Sequence, residues 1–424
     1  MAFPTQSAAA TIRLDKVLMV VNNDIAQSNS DADDYISRRG LTSRKLAFNF
    51  GTAGVGNNQP SATDITTSAT ISCQTAGAQS GLSFIAAISS YIRLNDIDCV
   101  ICSTYTPAVV SPFNVGGNAG MALPFATVAG LASTINAVGI SNLLNGGISD
   151  FFNTSATLPT DLAKSFGVSS NTRSSNWLNG TRNPTGTQTV IPHGRLGCNI
   201  GTSGSGTTIG GTYGGFPVEL PIYPQCVIKA MLAEQQDNSQ QLHVLTNNLQ
   251  YTAPMTTAAN TLAYNWAKSN KMNVSNFGVD IPLPSGGGDG ANGFSTALGY
   301  SVGSIFGYCV GVQFNFGTSG WSYGVNSYLS NYSVAQGGWW FNWTSSAYCT
   351  GYDFMGKGGS AAIITVSEPY NVGMPQAHLV FLALTNLKCT MAAANFAGNW
   401  NCSAATVYGD PLYSPYKSTK FYSS

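Results

Sequence analysis

The stretch Gly359–Tyr370, which reads GSAAIITVSEPY, decides the fold that the sequence predicts. It is a short apolar run bounded by glycines and a proline, and such a run is typical of a buried parallel strand. Its only acidic residue, Glu368, falls at the carboxyl end of the run. Because ligand and catalytic groups of open α/β sheets gather at the carboxyl ends of strands, Glu368 is a candidate site residue.

Alternating strand and helix patterns precede this stretch. They predict strand, helix, strand, helix and strand over Lys16–Asn22, Ser28–Arg39, Lys45–Phe50, Gly81–Leu94 and Asp98–Thr104. Ser28 is expected to cap the first helix and Gly40 to end it. Later strands are predicted at Val190–Gly197, Leu242–Asn247 and Ala404–Tyr408, together with a pair of strands over Tyr300–Phe316. Later helices are predicted at Leu220–Gln235, Thr257–Lys271 and Pro375–Phe396. This order favours an α/β fold whose mainly parallel sheet is flanked by helices.

Three segments organise the chain. Residues 1–105 are expected to form the N-terminal βαβαβ part of the sheet, and residues 187–424 its C-terminal part. Residues 106–186 are rich in Gly, Ser, Thr and Asn and follow a less regular pattern, which indicates a polar insertion between the two.

Charge is scarce throughout the sequence. Charged residues make up 8% of the 424 residues and the formal net charge is zero, whereas ordinary soluble proteins carry about 25%. A surface with so few charges has little electrostatic repulsion to keep copies apart. We therefore expect it either to be covered by other copies or subunits of an assembly, or to be solvated by neutral polar groups or glycans. No basic stripe appears, which argues against a nucleic-acid partner.

The start of the chain carries no targeting pattern. Residues 1–7 have neither a basic nor an apolar segment, so no signal peptide is expected in this chain. No run of about 18 apolar residues occurs, so no insertion into a membrane is expected. Together with the composition, this favours an extracellular or virion location.

No metal site or cofactor is expected. Cys99 and Cys102 form a CxxC within a predicted strand, where residues three apart point to opposite faces and cannot share a metal ion. The histidines are His193, His243 and His378, and no two of them have the spacing of metal ligands. The nine cysteines are expected to be mainly small buried side chains.

Several motifs, in the right order, resemble a family of mostly bacterial proteins without an assigned activity. The motifs are Val17–Asn22, Arg38-Arg39-Gly40, Arg195-Leu196, Leu232-Ala233-Glu234, Val366–Tyr370 with its Glu368-Pro369-Tyr370, and Gly409–Tyr413, which reads Gly-Asp-Pro-Leu-Tyr. The last two are the specific ones. Arg195, Glu368, Pro369, Tyr370, Gly409, Asp410 and Pro411 are accordingly expected as structural motif residues.

The same layout is similar, more distantly, to gingipain-type cysteine peptidases of the caspase-like α/β class. Those enzymes also have a Gly-Arg-Ile/Leu turn before a helix and a Gly-Asp-Pro near the end. The resemblance implies a caspase-like sheet with a catalytic His after one strand and a catalytic Cys after the next, both at the carboxyl edge.

The catalytic pair implied by that resemblance is incomplete in this sequence. Cys349 is the nucleophile candidate by position, because it follows a strand-like aromatic run and precedes the Glu368 strand. The base should lie in or just after Tyr300–Phe316, and that stretch holds no His. A thiol without a base nearby is a poor nucleophile at neutral pH. His193 or His378 would have to supply the base from elsewhere.

The two acids of the specific motifs have structural alternatives. Glu368 either serves as an acid or base, or ties down backbone amides or an arginine such as Arg195, because a buried carboxylate needs a bonded partner. Asp410 stands before Pro411 and is expected to fix a turn.

Two functions therefore stay open. The first is a non-enzymatic structural protein, a subunit of a phage virion or extracellular assembly built on a degenerate peptidase-like fold. The second is a caspase-like or gingipain-like cysteine hydrolase with Cys349 as its nucleophile. The missing His and the depleted charge favour the first.

Overall fold

A computed structural model describes about two fifths of the chain. The described residues are 12–48, 91–92, 94–104, 106, 191–196, 198–199, 212–213, 216–217, 219–220, 222–246, 263–276, 305–310, 334–345, 355, 357–365, 377–398 and 405–422. The polar insertion expected at 106–186 lies outside them apart from Thr106.

Fourteen strands occur among the described residues. They are β1 Val17–Asn22, β2 Lys45–Phe48, β3 Cys99–Cys102, β4 His193–Arg195, β5 Cys198–Asn199, β6 Thr212–Tyr213, β7 Phe216–Pro217, β8 Glu219–Leu220, β9 Leu242–Thr246, β10 Val274–Asn276, β11 Ile305–Val310, β12 Val334–Ser345, β13 Gly359–Thr365 and β14 Ala405–Gly409. β5 pairs with β8 and β6 with β7 in two small antiparallel ladders, and the other ten strands form one sheet.

Four helices have defined bounds: α1 Ala26–Arg39, α2 Gln225–Ala233, α3 Ala377–Thr385 and α4 Met391–Gly398. A further helical stretch covers residues 263–269. Gly40 adopts a left-handed conformation (φ 63°) and its N–H bonds to the last turn of α1, so the expected C-terminal stop is confirmed. Ser28 does not cap α1, because the helix begins at Ala26; its hydroxyl instead accepts a hydrogen bond from the Asn22 N–H.

The large sheet consists of two parallel half-sheets. Its strand order is β10-β9-β11-β12-β13-β14-β4-β3-β1-β2, and every neighbouring pair is parallel except β13 and β14. Five strands therefore run one way and five run the other. The expectation of an α/β fold with a mainly parallel sheet is confirmed at this level.

Both half-sheets follow the same order. Numbered along the chain within each half, the strands β9–β13 lie as 2-1-3-4-5, and so do β1–β4 with β14. In each half the first strand has the second on one side and the third on the other. This reversal of direction is the topological switch point beside which ligands bind in open α/β sheets.

Apolar sequences explain why strands β1 and β3 are buried inside the protein. All six residues of β1 are buried, and so are the four residues of β3, as expected for strands covered on both faces. Along β1 the odd-numbered Val17, Met19 and Val21 join the main hydrophobic cluster with Ala32 and Tyr35 of α1. The intervening residues point to the opposite face, as the two-residue repeat of a strand requires.

One part of the C-terminal half differs from the sequence-based expectations, and another agrees with them. The helix expected over Pro375–Phe396 is two helices, α3 and α4, separated by a segment in which Lys388 has a positive φ of 50°. A continuous apolar pattern concealed this break, because both helices are buried almost all round. The aromatic stretch around Trp339 contains the long central strand β12, where Gly337 (φ 83°) interrupts regular β geometry.

Candidate functional site

Four ionisable side chains from distant parts of the chain form one buried cluster, which we call the Arg39 cluster: Tyr35, Arg39, Glu234 and Asp410. The Nη1 of Arg39 donates to both Glu234 carboxylate oxygens at 3.0 and 2.8 Å. Its Nε donates to Asp410 Oδ2 at 3.1 Å, and its Nη2 donates to the same oxygen. The Tyr35 hydroxyl donates to Asp410 Oδ1 at 2.8 Å.

Secondary structure brings these four side chains together. Tyr35 and Arg39 lie one turn apart near the end of α1 and therefore share one helix face. Glu234 directly follows α2, and Asp410 directly follows β14. Asp410 and Arg39 are 0% and 8% exposed at their side chains. A guanidinium held by two carboxylates satisfies the need of buried charges for bonded partners.

Backbone amides complete the cluster. Asp410 Oδ1 also accepts from the Leu412 N–H at 3.1 Å, which is the turn geometry expected for Asp before Pro. Glu234 Oε1 accepts from the Ser414 N–H at 2.9 Å. The exposed Lys417 places its Nζ 4.0 Å from Glu234 Oε2, which brings a second positive charge near two carboxylates.

Burial and neighbouring charges shift the pKa values in this cluster. Burial raises the pKa of Tyr35 far above its usual value, and the nearby Asp410 adds to this, so Tyr35 is a neutral donor. Burial also raises the pKa of Asp410, while Arg39 and the Tyr35 hydroxyl act in the opposite direction. The two carboxylates raise the pKa of Arg39 against the effect of its burial. The guanidinium therefore stays charged.

Motif residues that are far apart in sequence meet at this cluster. Arg39, Glu234 and Asp410 each belong to one of the motifs on which the family resemblance rests. Pro411 of the Gly-Asp-Pro-Leu-Tyr motif packs against Gly194, next to Arg195, so closely that a Cβ at Gly194 would clash with the proline ring. These motifs thus form one structural unit, and the part that Tyr35 plays in it was not anticipated from the sequence.

Residues 410–422, which we call the C-terminal strap, extend these contacts. Tyr413 donates to the Gly337 carbonyl at the start of β12, and the Tyr416 hydroxyl accepts from Trp339 Nε1 at 2.9 Å. Asn238 donates to the Pro415 carbonyl at 2.6 Å. Residues 410–416 are buried. The strap therefore ties the end of the chain to both half-sheets.

His243 on β9 is enclosed by aromatic rings under the strap. Its ring centroid lies 5.8 Å from that of Phe306 and 5.6 Å from that of Tyr416. Its Nδ1 donates to the Asn273 carbonyl at 3.2 Å, and its Nε2 has no hydrogen-bond partner among the described residues. Burial lowers its pKa to about 4, so this imidazole is neutral at pH 7. His243 is therefore a buried residue of the sheet, held by ring contacts and by the Asn273 carbonyl.

Polar groups also gather at the carboxyl ends of β1 and β3, the switch point of the first half-sheet. Ser103 Oγ donates to the Ser28 carbonyl at 2.6 Å, which ties the end of β3 to helix α1. Arg195, at the end of the adjacent β4, is 1% exposed and its Nη2 donates to the Thr106 carbonyl at 2.8 Å. These contacts give Arg195 a role in holding the segment after β3.

His193 opens β4 and is 3% exposed, with its Nδ1 donating to the Ile191 carbonyl at 3.0 Å. The strands β13 and β14 lie between β4 and β12, the strand that Cys349 follows. Three strand spacings amount to about 14 Å. The backbones of β4 and β12 are therefore too far apart for direct contact between His193 and a side chain on β12.

Several candidates from the sequence lie outside the described residues: Cys349, Glu368, Pro369 and Tyr370. His378 lies in α3, as expected from a helix after the Glu368 strand, but its side chain is outside the described part. The hydrolase geometry that pairs Cys349 with an imidazole, and the contact of Glu368 with Arg195, consequently stay predictions.

The cysteines that the structure describes with their surroundings are buried thiols, namely Cys99, Cys102, Cys226 and Cys389. Burial raises the pKa of Cys99 and Cys226, so both are protonated at neutral pH. Cys99 belongs to the main hydrophobic cluster. Within the described ranges, no three His, Cys, Asp or Glu side chains are placed to hold a metal ion. Among the helices described, none is long and apolar enough to span a membrane.

Comparisons with known proteins identify no match for this chain, so a functional assignment rests on the fold and the Arg39 cluster. No protein-family model matches the chain. Neither a curated protein nor a solved structure gives a significant match.

Proposed function

We propose that this chain is a non-enzymatic building block of a larger assembly, such as a phage virion or an extracellular structure. The observation that carries the proposal is the buried position of Asp410, the acid of one of the two specific motifs. Its side chain is completely buried, and both of its oxygens accept hydrogen bonds from within the chain. An acid used in this way stabilises the fold and is not accessible to a substrate.

The two histidines whose side chains the structure describes support the same proposal. His193 and His243 are 3% and 0% exposed, and each donates its Nδ1 proton to a backbone carbonyl. A general base must reach the proton that it abstracts from the nucleophile or from a substrate. Rings buried and oriented by the backbone instead support packing of the sheet.

The surface composition adds a second line of support. Only 8% of the residues are charged and the net charge is zero. Long-range repulsion between copies is therefore weak, which favours close association in an ordered assembly. A phage virion component or another extracellular assembly subunit would have a surface of this kind.

The test is the size of the purified full-length chain across a concentration series, measured by light scattering and negative-stain microscopy. We expect particles, filaments or a stable oligomer of defined shape. A monodisperse monomer at the highest concentrations would contradict the proposal. Amorphous aggregates without a repeating shape would contradict it as well.

The alternative, a caspase-like or gingipain-like cysteine hydrolase, gains support from strand order. Cys349 comes four residues after β12, the fourth strand along the second half-sheet. In the peptidases that the sequence resembles, the nucleophile also follows a strand at the carboxyl edge. The base would be His378 or His193 brought in from elsewhere.

Thiol reactivity distinguishes the two functions. A nucleophilic Cys349 would react with iodoacetamide much faster than the buried Cys99 and Cys226, which serve as comparators within the same chain. Peptide mapping after a short exposure measures both rates, and Cys349→Ser identifies the signal. The building-block proposal predicts no saturable reaction of Cys349 with a peptidyl electrophile. A rapid and saturable one would establish the hydrolase instead.

A further inference from the structure

We propose that this chain binds an acidic polysaccharide, a polymer of sugar rings of which some carry a carboxylate, at the place where the C-terminal strap meets the helical stretch 263–269. The binding surface consists of Tyr264, Lys268, Lys271, Lys420 and Tyr422, and we call it the lysine–tyrosine surface. This inference goes beyond the proposed assembly function and does not depend on it.

The helical stretch 263–269 forms one side of the surface. Tyr264 is half-buried, and Lys268 is exposed one turn later. Lys268 Nζ lies 5.5 Å from the centroid of the Tyr264 ring, within the range of a cation–π contact. The opposite face of the stretch packs into the main hydrophobic cluster through Ala263, Trp266 and Ala267. The lysine and the tyrosine are therefore presented outwards together.

The end of the C-terminal strap forms the other side. Tyr422 is 71% exposed, and Lys271 Nζ lies 4.8 Å from the centroid of its ring. The backbone N–H of Tyr422 donates to Asn270 Oδ1 at 2.8 Å, and the centroid of the Phe421 ring lies 5.1 Å from that of Trp266. These contacts fix the strap on the helical stretch. The two lysine–tyrosine pairs therefore lie on one surface of the folded chain.

Positive charge dominates the lysine–tyrosine surface. Lys420 is exposed two residues before Tyr422, so their Cα atoms are at most about 7 Å apart. The adjoining described segment 235–241 bonds to Lys271 and to the strap, and its acid is the exposed Asp237. The surface and this segment thus carry three positive charges and one negative charge, and a polymer with negative charges complements them.

The number and kind of these cations favour a polymer of low charge density. A lysine ammonium is a point charge on a flexible stem and recognises charge more than a fixed arrangement of oxygens. Three lysines offer few ionic contacts, whereas electrostatic binding to DNA draws on about 6–10 phosphate contacts, with one phosphate per about 1.7 Å of duplex. A polysaccharide in which only some sugar rings are charged matches the smaller number of contacts better.

Exposed neutral groups beside the lysines suit the sugar rings between the charges. Tyr422 presents an aromatic ring, whose apolar face can pack against the C–H groups of a sugar. Asn265 and Ser269 are exposed on the helical stretch, and the exposed Gln240 donates through its Nε2 to the Lys271 carbonyl. Amide and hydroxyl side chains both donate and accept hydrogen bonds, as sugar hydroxyls do. The surface thus combines groups for the charged and for the neutral parts of one polymer.

Binding of the full chain to immobilised carboxymethyl dextran tests the charge contacts. Lys268→Gln, Lys271→Gln removes two of the three lysine charges and should weaken binding about tenfold or more. The matched control Arg38→Gln, Lys45→Gln removes two positive charges from the surface of α1 and β2, where each is paired with an aspartate. The control should bind like the wild type. Equal binding of the wild type and the lysine variant, or equal losses in the lysine variant and the control, would overturn the proposal.

The ring of Tyr422 tests the contact with sugar. Tyr422→Ala removes the ring without changing the charge and should weaken binding about threefold. Tyr422→Phe keeps the apolar faces and should bind like the wild type. Because Tyr422 is 71% exposed, both variants should keep the wild-type urea midpoint, so a loss of binding does not come from unfolding. Unchanged binding of Tyr422→Ala would contradict the sugar contact.

Three further polymers identify the class of partner. Uncharged dextran shares the sugar rings of carboxymethyl dextran, polyglutamate shares the carboxylates, and single-stranded oligo(dT) shares a repeated negative charge. We expect all three to bind more weakly than carboxymethyl dextran. Dextran that binds equally well would exclude the lysine contacts. Polyglutamate or oligo(dT) that binds equally well would overturn the polysaccharide and make the partner an acidic protein or a nucleic acid.

The size of the lysine variant without any polymer separates this inference from the assembly function. Its particles should match those of the wild type, because polymer binding and the association of copies are independent. A lysine variant that no longer assembles would place the lysines between copies and overturn the polysaccharide site. A wild-type chain that does not bind carboxymethyl dextran overturns the site as well, and leaves the building-block function standing.

Discussion

Arg39 and Asp410 are 371 positions apart in the sequence, yet the guanidinium of one donates to the carboxylate of the other in the interior of the protein. The pair joins the first helix of the first half-sheet to the segment that follows β14, the strand where the two half-sheets meet. Glu234 adds the second half-sheet to the same contact, because it follows α2, which precedes β9. One buried arginine thus connects three distant parts of the chain.

Removing this arginine should destabilise the protein strongly. Arg39→Ala leaves Glu234 and Asp410 buried without their positive partner, and breaking a buried ion pair in this way costs about 3–5 kcal/mol. We expect the urea midpoint to fall accordingly. Arg38→Ala is the matched control, because that neighbouring arginine pairs with Asp34 at the surface and its loss should leave the midpoint nearly unchanged. Equal decreases of the urea midpoint in Arg39→Ala and Arg38→Ala would contradict a structural role for the Arg39 cluster.

The hydroxyl of Tyr35 should stabilise the folded protein more than that of Tyr223, although both donate to an aspartate. Tyr35 donates to the fully buried Asp410, whereas Tyr223 donates at 2.6 Å to Asp34, whose side chain is 37% exposed. Tyr35→Phe should cost about 1.5–3 kcal/mol, the range for a hydrogen bond to a charged group. Tyr223→Phe should cost less, because water can replace its hydroxyl. Denaturant titrations measure the loss of unfolding free energy in each variant. A larger loss for Tyr223→Phe than for Tyr35→Phe would contradict the prediction.

Gly409 should tolerate no side chain, while Gly40 should accept one at a modest cost. Both have positive φ, 95° and 63°. A Cβ at Gly40 would meet open space, whereas one at Gly409 would clash with the Ser360 carbonyl oxygen. Gly40→Ala should therefore cost only the left-handed backbone penalty of about 1–2 kcal/mol. Gly409→Ala adds the clash and should cost about 3 kcal/mol or more. Similar thermal shifts for the two variants would argue against the β13–β14 register.

Local patterns accounted for the elements but not for the way in which they assemble. The apolar runs of β1, β3 and β13 and the stop at Gly40 were visible in the sequence, because burial on both faces and a left-handed cap leave clear residue signals. The antiparallel contact between β13 and β14 was not visible. It depends on pairing across the sheet between residues such as Ala361 and Gly409, and no local pattern encodes the direction of a partner strand.

The contacts within the Arg39 cluster were likewise not predictable from local sequence patterns. Asp410 was recognised as a turn residue, and Leu412 N–H does bond to its side chain. Its partners could not be derived, because Arg39 looks like an ordinary charged residue in the last turn of a helix. Two signals were available in the sequence. Arg39 and Glu234 both belong to motifs of the family resemblance, and Glu234 is one of only three glutamates in the chain.

The environment of His243 makes the stability of the protein depend on pH. Its ring is fully buried between Phe306 and Tyr416, and the phenol of Tyr416 is the titratable group that faces it from the strap. Burial lowers its pKa to about 4 from the usual 6.5. Between these values the unfolded chain binds a proton that the folded chain does not, so stability falls as the pH decreases.

His243→Phe should abolish this pH dependence. In the wild type, the contribution of His243 to the free energy of unfolding is constant above pH 6.5, decreases from there to about pH 4 and then levels off. The total loss is about 3 kcal/mol, since each pKa unit corresponds to about 1.4 kcal/mol. The phenylalanine variant binds no proton at this position, so its urea midpoint should change less between pH 7 and pH 4.5. His193→Phe serves as the comparison, because that ring lies in the other half-sheet. If wild type and His243→Phe lose the same stability over this range, the imidazole is not the group that titrates.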